Sequence, residues 1–203
     1  TGNSLFGEGA GADVTTGEHN TAIGYHALFL GTTESDDNVA IGYNAMSGAI
    51  GTESVNDCVA IGSGALAGAL DSTDGADEAS GSVAIGKASL AALVTGAKNT
   101  AVGFGAGTAL TTSDNNVVMG YNALYRGTTE SDDNVAIGYN AMSGNFTTNA
   151  VNDCVVIGSG AAAGTLTAAA SGAMVIGTSA GVATTAVDKT VIIGDQAVGS
   201  DMT

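Results

Sequence analysis

Apolar and polar positions along the chain follow neither a helical period nor a long alternation. One short unit recurs instead: a small polar residue, two or three apolar residues, glycine, two variable residues, then alanine. It stands as Asn20-Thr21-Ala22-Ile23-Gly24-Tyr25-His26-Ala27, as Asn38-Val39-Ala40-Ile41-Gly42-Tyr43-Asn44-Ala45, and as Cys58-Val59-Ala60-Ile61-Gly62-Ser63-Gly64-Ala65. Eleven copies occur, with glycines at Gly7, Gly24, Gly42, Gly62, Gly86, Gly103, Gly120, Gly138, Gly158, Gly177 and Gly194, spaced 17 to 24 residues apart. Short, nearly constant spacing is the signature of a solenoid. Within a unit, Val39, Ala40 and Ile41 alternate faces with period two and are partly β-branched, so they predict a strand. The glycine after them permits a bend that a Cβ would obstruct.

A longer period lies over the short one. The segment from Gly31 to Gly48 recurs unchanged from Gly127 to Gly144, 96 residues on. Five units therefore form one long repeat, roughly 3–98, followed by a slightly shortened copy, roughly 99–189, and a third beginning near 190. The expected fold is all-β: one repeat domain over 1–203, a parallel β-solenoid (β-roll or β-helix) of about eleven coils. Stacked coils repeat every ~4.8 Å, so the rod is about 50 Å long. The pattern runs to both ends, which reads as a piece of a longer fibre chain.

Both faces of each strand are apolar, and a strand buried on both sides needs protein on each. One face fills the coil; the other predicts lateral association, most simply as a homotrimer around an axis. The candidates for that seam, or for the coil core, are Ile23, Ile41, Ile61, Ile85, Val102, Met119, Ile137, Ile157, Ile176 and Ile193. The unit's first position predicts an amide ladder of Asn3, Asn20, Asn38, Asn99, Asn116 and Asn134. Tyr25, Tyr43, Phe104, Tyr121 and Tyr139 share the position after the glycine and predict a partly stacked aromatic spine.

Composition fits narrow coils. Glycine (32) and alanine (36) fill a third of the 203 positions, and the chain has nine aromatic residues and no tryptophan. Four basic residues, Lys87, Lys98, Arg126 and Lys189, face twenty acidic ones, for a net charge of −16. No basic patch could neutralise a phosphate backbone, so nucleic acid is excluded as a partner. No apolar run approaches the ~20 residues of a membrane span, so no membrane insertion is expected.

Little catalytic chemistry is legible. Cys58 and Cys154 hold equivalent positions five coils apart, about 24 Å, beyond the ~7 Å Cα limit of a disulfide. They are expected to be small buried thiols. His19 and His26 lack a third metal ligand, and no nucleophile–base motif or phosphate loop is present. The reading is therefore not an enzyme, with no cofactor. Acidic connections are the remaining ligand candidates: Glu34, Asp36 and Asp37, their copies Glu130, Asp132 and Asp133, and Asp71, Asp74, Asp77 and Glu78 in the longest insertion. The last four are the candidate metal ligands, for Ca²⁺, although they match neither the EF-hand nor the calcium-roll pattern. Solvated acidic turns are the default reading of all three clusters, with cation binding the alternative.

The unit Asn20 to Leu28, varied at Asn38, Asn116 and Asn134, resembles the repeats of phage tail fibres and related long surface fibres. Ser82-Val83-Ala84-Ile85-Gly86 is similar to the core motif of the head domains of trimeric autotransporter adhesins, left-handed parallel β-rolls that assemble three chains around an axis. The coils of this chain are longer and less uniform than those heads, which favours the fibre. The resemblance implies the structural shaft of an extracellular trimeric fibre, a virion tail fibre. It would pack against further copies or segments of the same fibre and position a tip that meets a host cell-surface receptor through another region. A bacterial surface adhesin head or self-assembled filament is the alternative. Ice binding would need a regular threonine array, and Thr32, Thr33, Thr111, Thr112, Thr128 and Thr129 sit in connections instead.

Overall fold

The computed structural model describes residues 2–29, 35–48, 54–70, 80–126, 130–144, 150–164, 170–182 and 189–198. Its regular structure is one parallel sheet of eleven three-residue strands: β1 (Ser4–Phe6), β2 (Thr21–Ile23), β3 (Val39–Ile41), β4 (Val59–Ile61), β5 (Val83–Ile85), β6 (Thr100–Val102), β7 (Val117–Met119), β8 (Val135–Ile137), β9 (Val155–Ile157), β10 (Met174–Ile176) and β11 (Val191–Ile193). Strand order in space is sequence order. Each strand pairs in register with the next, Val39 with Val59, Ala40 with Ala60, Ile41 with Ile61, and so on along the ladder. This is a β-solenoid in which each coil gives one strand, as the spacing of the repeat glycines requires.

The ladder does not stop at the strand. Gly42 N–H donates to Ile23 C=O at 2.8 Å, Asn44 N–H to Tyr25 C=O at 2.9 Å and Met46 N–H to Ala65 C=O at 2.9 Å. Three residues of strand per coil are few, but coil-to-coil backbone bonding continues around the bend and satisfies groups that would otherwise be lost in the interior. The bend uses left-handed backbone at the second and fourth residues after the glycine. Asn44 and Met46 have φ of 51° and 50°, and the residue before the unit, Asp37 or Asp57, has φ near 58°.

Small side chains fill the interior. The middle strand residue points inward, and Ala22, Ala40, Ala60, Ala84, Ala101 and Ala136 are fully buried. The residue that closes the unit is buried from Ala27 to Ala180, with Ser89 in place of alanine in one coil, and in six coils the next residue supplies the bulk: Leu28, Met46, Leu66, Leu90, Leu124 and Met142. Alternation alone left open which face lies inside; volume decides it, since alanine fits between adjacent coils. The isoleucine row from Ile23 to Ile193 therefore faces outward and is not the coil core. At the ladder's end the interior lacks its cover, and Leu5 is 45% exposed.

The long repeats trade volume within a coil. The inward pair Ala60 and Leu66 becomes Val156 and Ala162, and Ala84 and Leu90 become Val175 and Gly181, all in the interior. A larger strand residue is met by a smaller residue after the bend, which holds packing density nearly constant.

The amide ladder is present and buried. Asn20 Oδ1 accepts Asn38 N–H, and Asn38 Oδ1 accepts Cys58 N–H, both at 3.0 Å. Their Nδ2 groups donate to Ser35 C=O and Val55 C=O at 2.7 Å. The amides mostly bond backbone groups of the following coil, so each one ties two coils together as well as continuing the row.

Candidate functional site

Without a catalytic constellation, the outer surface is the place to look. The first and third residues of all eleven strands form two parallel columns facing outward. They are Val, Ile, Thr, Met, Ser and Phe, and none is charged. Ten steps of ~4.8 Å make this strip about 48 Å tall. Most of its side chains are half-buried by their neighbours along the column; Ile23 (41%), Met119 (42%) and Ile193 (65%) are exposed. Ile41, Ile61, Ile85, Val102, Ile137, Ile157 and Ile176 complete the third-residue column.

Beside the strip run the aromatic side chains. Tyr25 and Tyr43 stack with ring centroids 5.4 Å apart, Phe104 and Tyr121 at 5.2 Å, and Tyr121 and Tyr139 at 5.4 Å, with planes within 11° of parallel. The spine is thus two separate columns, interrupted where Ser63 and Lys87 take the position. His26, a residue without a catalytic partner, lies between Tyr25 and Phe29, stacked at 3.9 and 4.0 Å. The Lys87 ammonium stands 6.0 Å from the centre of the Phe104 ring, within cation–π range.

The corners before β2, β3, β4, β7, β8 and β9 carry acid, from Glu18 to Asp153. Asp36 Oδ1 accepts Glu18 N–H at 2.6 Å, Asn56 Oδ1 accepts Asp36 N–H at 2.8 Å, and Ser80 Oγ accepts Asn56 N–H at 3.0 Å. The second long repeat repeats the row through Asp114, Asp132, Asn152 and Ser171. This row of acceptors points back toward the preceding coil, whereas the buried asparagines point forward. Of these residues only Asp36 and Asp132 stand out in the sequence, as members of solvated acidic turns; the restriction of the position to Asp, Asn and Ser is the signal that marks the whole row. Partial burial, with Asp114, Asp133 and Glu130 nearby, raises the Asp132 carboxyl above the usual carboxylate value.

Several expected residues do not converge on chemistry. Among the described residues, no three His, Cys, Asp or Glu side chains are placed to share a metal ion. Asp71, Asp74, Asp77 and Glu78 lie outside the described residues, as do Glu34, Thr32, Thr33, Thr128 and Thr129. His19 Nδ1 lies 3.4 Å from Asp37 Oδ1, an exposed pair. Cys58 and Cys154 are free and buried. Desolvation pushes the Cys58 thiol up to about 11 and raises Cys154, so both are poor nucleophiles. Each thiol donates to a nearby carbonyl, Cys58 to Asn56 and Cys154 to Ala170, where an asparagine amide would do the same. No described helix is long and apolar enough to cross a membrane.

No family model matches the chain, and no match is found among curated proteins or solved structures.

Proposed function

We propose that the chain is a shaft segment of a trimeric extracellular fibre, and that the fibre is a phage tail fibre positioning a receptor-binding tip. The observation that supports this most is the uncharged outer strip, unbroken over eleven strands in a chain of net charge −16. Scattered exposed apolar residues are ordinary; a continuous strip of this height marks an interaction surface. Three copies in parallel around an axis would bring the first-residue column of each chain against the third-residue column of its neighbour. The acidic corners, with Asp36, Asp37, Asp132 and Asp133, would then keep assembled rods apart. On this reading the work is mechanical: stacked coils and buried seams make a stiff, slowly unfolding rod.

Sedimentation equilibrium tests the association, with three copies expected and a monomer overturning it. An Ile61→Asp/Ile137→Asp double variant should yield folded monomers. Immunogold labelling with antibody to the chain tests the setting. Label on virion tails supports the fibre, whereas label on bacterial surfaces selects an adhesin head, the second reading that the Ser82–Gly86 motif favours.

A further inference from the structure

The position after the repeat glycine forms one exposed column, and its interruptions have a defined shape. Gly64 N–H donates to Tyr43 C=O at 2.9 Å and Ala88 N–H to Ser63 C=O at 3.0 Å, so Tyr43, Ser63 and Lys87 occupy successive rungs. Tyr25 covers one face of the Tyr43 ring. Toward the other face, among the described residues, stands the exposed Ser63, and Tyr43 is 58% exposed against 41% for Tyr25. Next to Ser63, a Cβ on Gly64 would meet no described residue within 4 Å. Two rungs from Tyr43, about 9.6 Å along the rod, is Lys87.

We propose that this gap, bounded by Tyr43, Ser63, Gly64 and Lys87, binds one acidic sugar ring of a glycan. A ring lying on Tyr43 would sit one rung from it and one rung from Lys87, close to the 5.2–5.4 Å at which the column's own rings stack. A pyranose offers its apolar C–H face to the tyrosine and keeps its hydroxyl rim toward Ser63 Oγ and water; a flat hydrocarbon ring would be left wet on its open edge. The charge preference comes from Lys87, one of only four basic residues in the chain, whose ammonium stands 6.0 Å from the Phe104 ring on its other side and would turn toward the sugar carboxylate on binding. The second long repeat supplies a comparison: Tyr139, 57% exposed, is followed by Ser159 and Gly160, but Thr178 replaces the lysine, and Ser179, in place of Ala88, puts its Oγ 3.6 Å from where a Gly160 Cβ would stand. One chain builds each slot, so the proposal does not rest on the trimer or on the fibre reading, and it adds a binding role to the rod's side wall.

A dozen-atom ligand on an open surface binds at about 1 mM. The test is a titration of the full chain, carbon-13-labelled at tyrosine, with digalacturonate and with neutral digalactose, followed by NMR. Digalacturonate should shift Tyr43 with millimolar half-saturation and Tyr139 at least about threefold more weakly, while digalactose should not distinguish the two. Ser63→Tyr, which extends the column with a residue that neighbouring coils already carry there, should abolish the Tyr43 response. Lys87→Thr, an exposed change, should lower it to the level of Tyr139. No shift at Tyr43 up to tens of millimolar, a shift that survives Ser63→Tyr, or equal responses of the two tyrosines to the acidic sugar would each overturn the proposal.

Discussion

Gly42 lies so close to Gly62 of the next coil that a Cβ on Gly42 would meet the carbonyl carbon and oxygen of Gly62 at 2.7 Å. Gly62 stands in the same relation to Gly86. Backbone φ near +132° at Gly62 and +136° at Gly194 adds a conformational demand that alanine resists. Gly194 of this chain separates the two causes, because among the described residues its Cβ would find only Ala197 Cβ, at 3.6 Å. Gly194→Ala should therefore cost the conformational part alone, about 1–3 kcal/mol, and Gly62→Ala distinctly more. Urea denaturation of both variants decides this; equal losses would mean that the coils spread without cost.

Val156 and Ala162 offer a test of interior packing. Val156→Ala alone leaves a small cavity and should cost about 1–3 kcal/mol. Ala162→Leu alone overfills the coil and should cost about as much. The double variant recreates the Ala60 and Leu66 pair of the first long repeat and should return close to the parent stability. The expected coupling is favourable and close to the sum of the two single losses, at least about 2 kcal/mol. Simple additivity of the two single losses would show that the two residues do not share one space.

These residues also show where sequence reading reached and where it stopped. The strand from Val39 to Ile41 was legible because eleven copies agree on three residues and a glycine. Its inward face was not, since Ala40 and Ile41 are both apolar and only the width of the coil chooses between them. The left-handed residues divide in the same way. Asp37 and Asn44 carry side chains that tolerate φ > 0, whereas Leu28 and Met46 give no such signal, and burial holds them there against local preference. The acceptor row through Asp36 and Asn56 was hidden because its donors lie 18 to 24 residues away, a relation that appears only when coils are stacked.

Asp132 makes stability depend on pH in a direction opposite to that of a salt-bridged carboxylate. Its folded-state pKa is raised, by desolvation first and by Asp114, Asp133 and Glu130 after it. The folded chain therefore binds a proton that the unfolded chain has released, and stability falls as pH rises from the ordinary carboxylate value through the raised one. Asp132→Asn keeps an oxygen to accept Asp114 N–H, as Asn152 already does for Asp132 N–H at 2.9 Å. The variant should be the more stable protein at neutral pH, and the difference should vanish near about pH 3, where both side chains are neutral. Denaturant midpoints at the two pH values check this, and a less stable variant at neutral pH would contradict it.

Asn116 is the most heavily bonded rung of the buried amide ladder. Its Oδ1 accepts Asn134 N–H at 3.0 Å, and its Nδ2 donates to Ser131 C=O at 2.8 Å and to Asn99 Oδ1 at 3.0 Å. The side chain is fully buried, so water cannot replace these partners. Asn116→Ala removes the acceptor of Asn134 N–H and a donor to Ser131 C=O, each worth about 1–3 kcal/mol, and should cost about 2–5 kcal/mol. Ser82 shows what a shorter acceptor does in the same row, since its Oγ takes Asn99 N–H at 3.2 Å. Asn116→Ser should therefore recover part of the loss by serving Asn134 N–H without restoring the Nδ2 bond to Ser131 C=O. Hydrogen exchange at the Asn134 amide reads this directly, with protection lowest in the alanine variant and intermediate in the serine variant. If serine and alanine behaved alike in both stability and exchange, the forward-pointing acceptor would not be what joins one coil to the next.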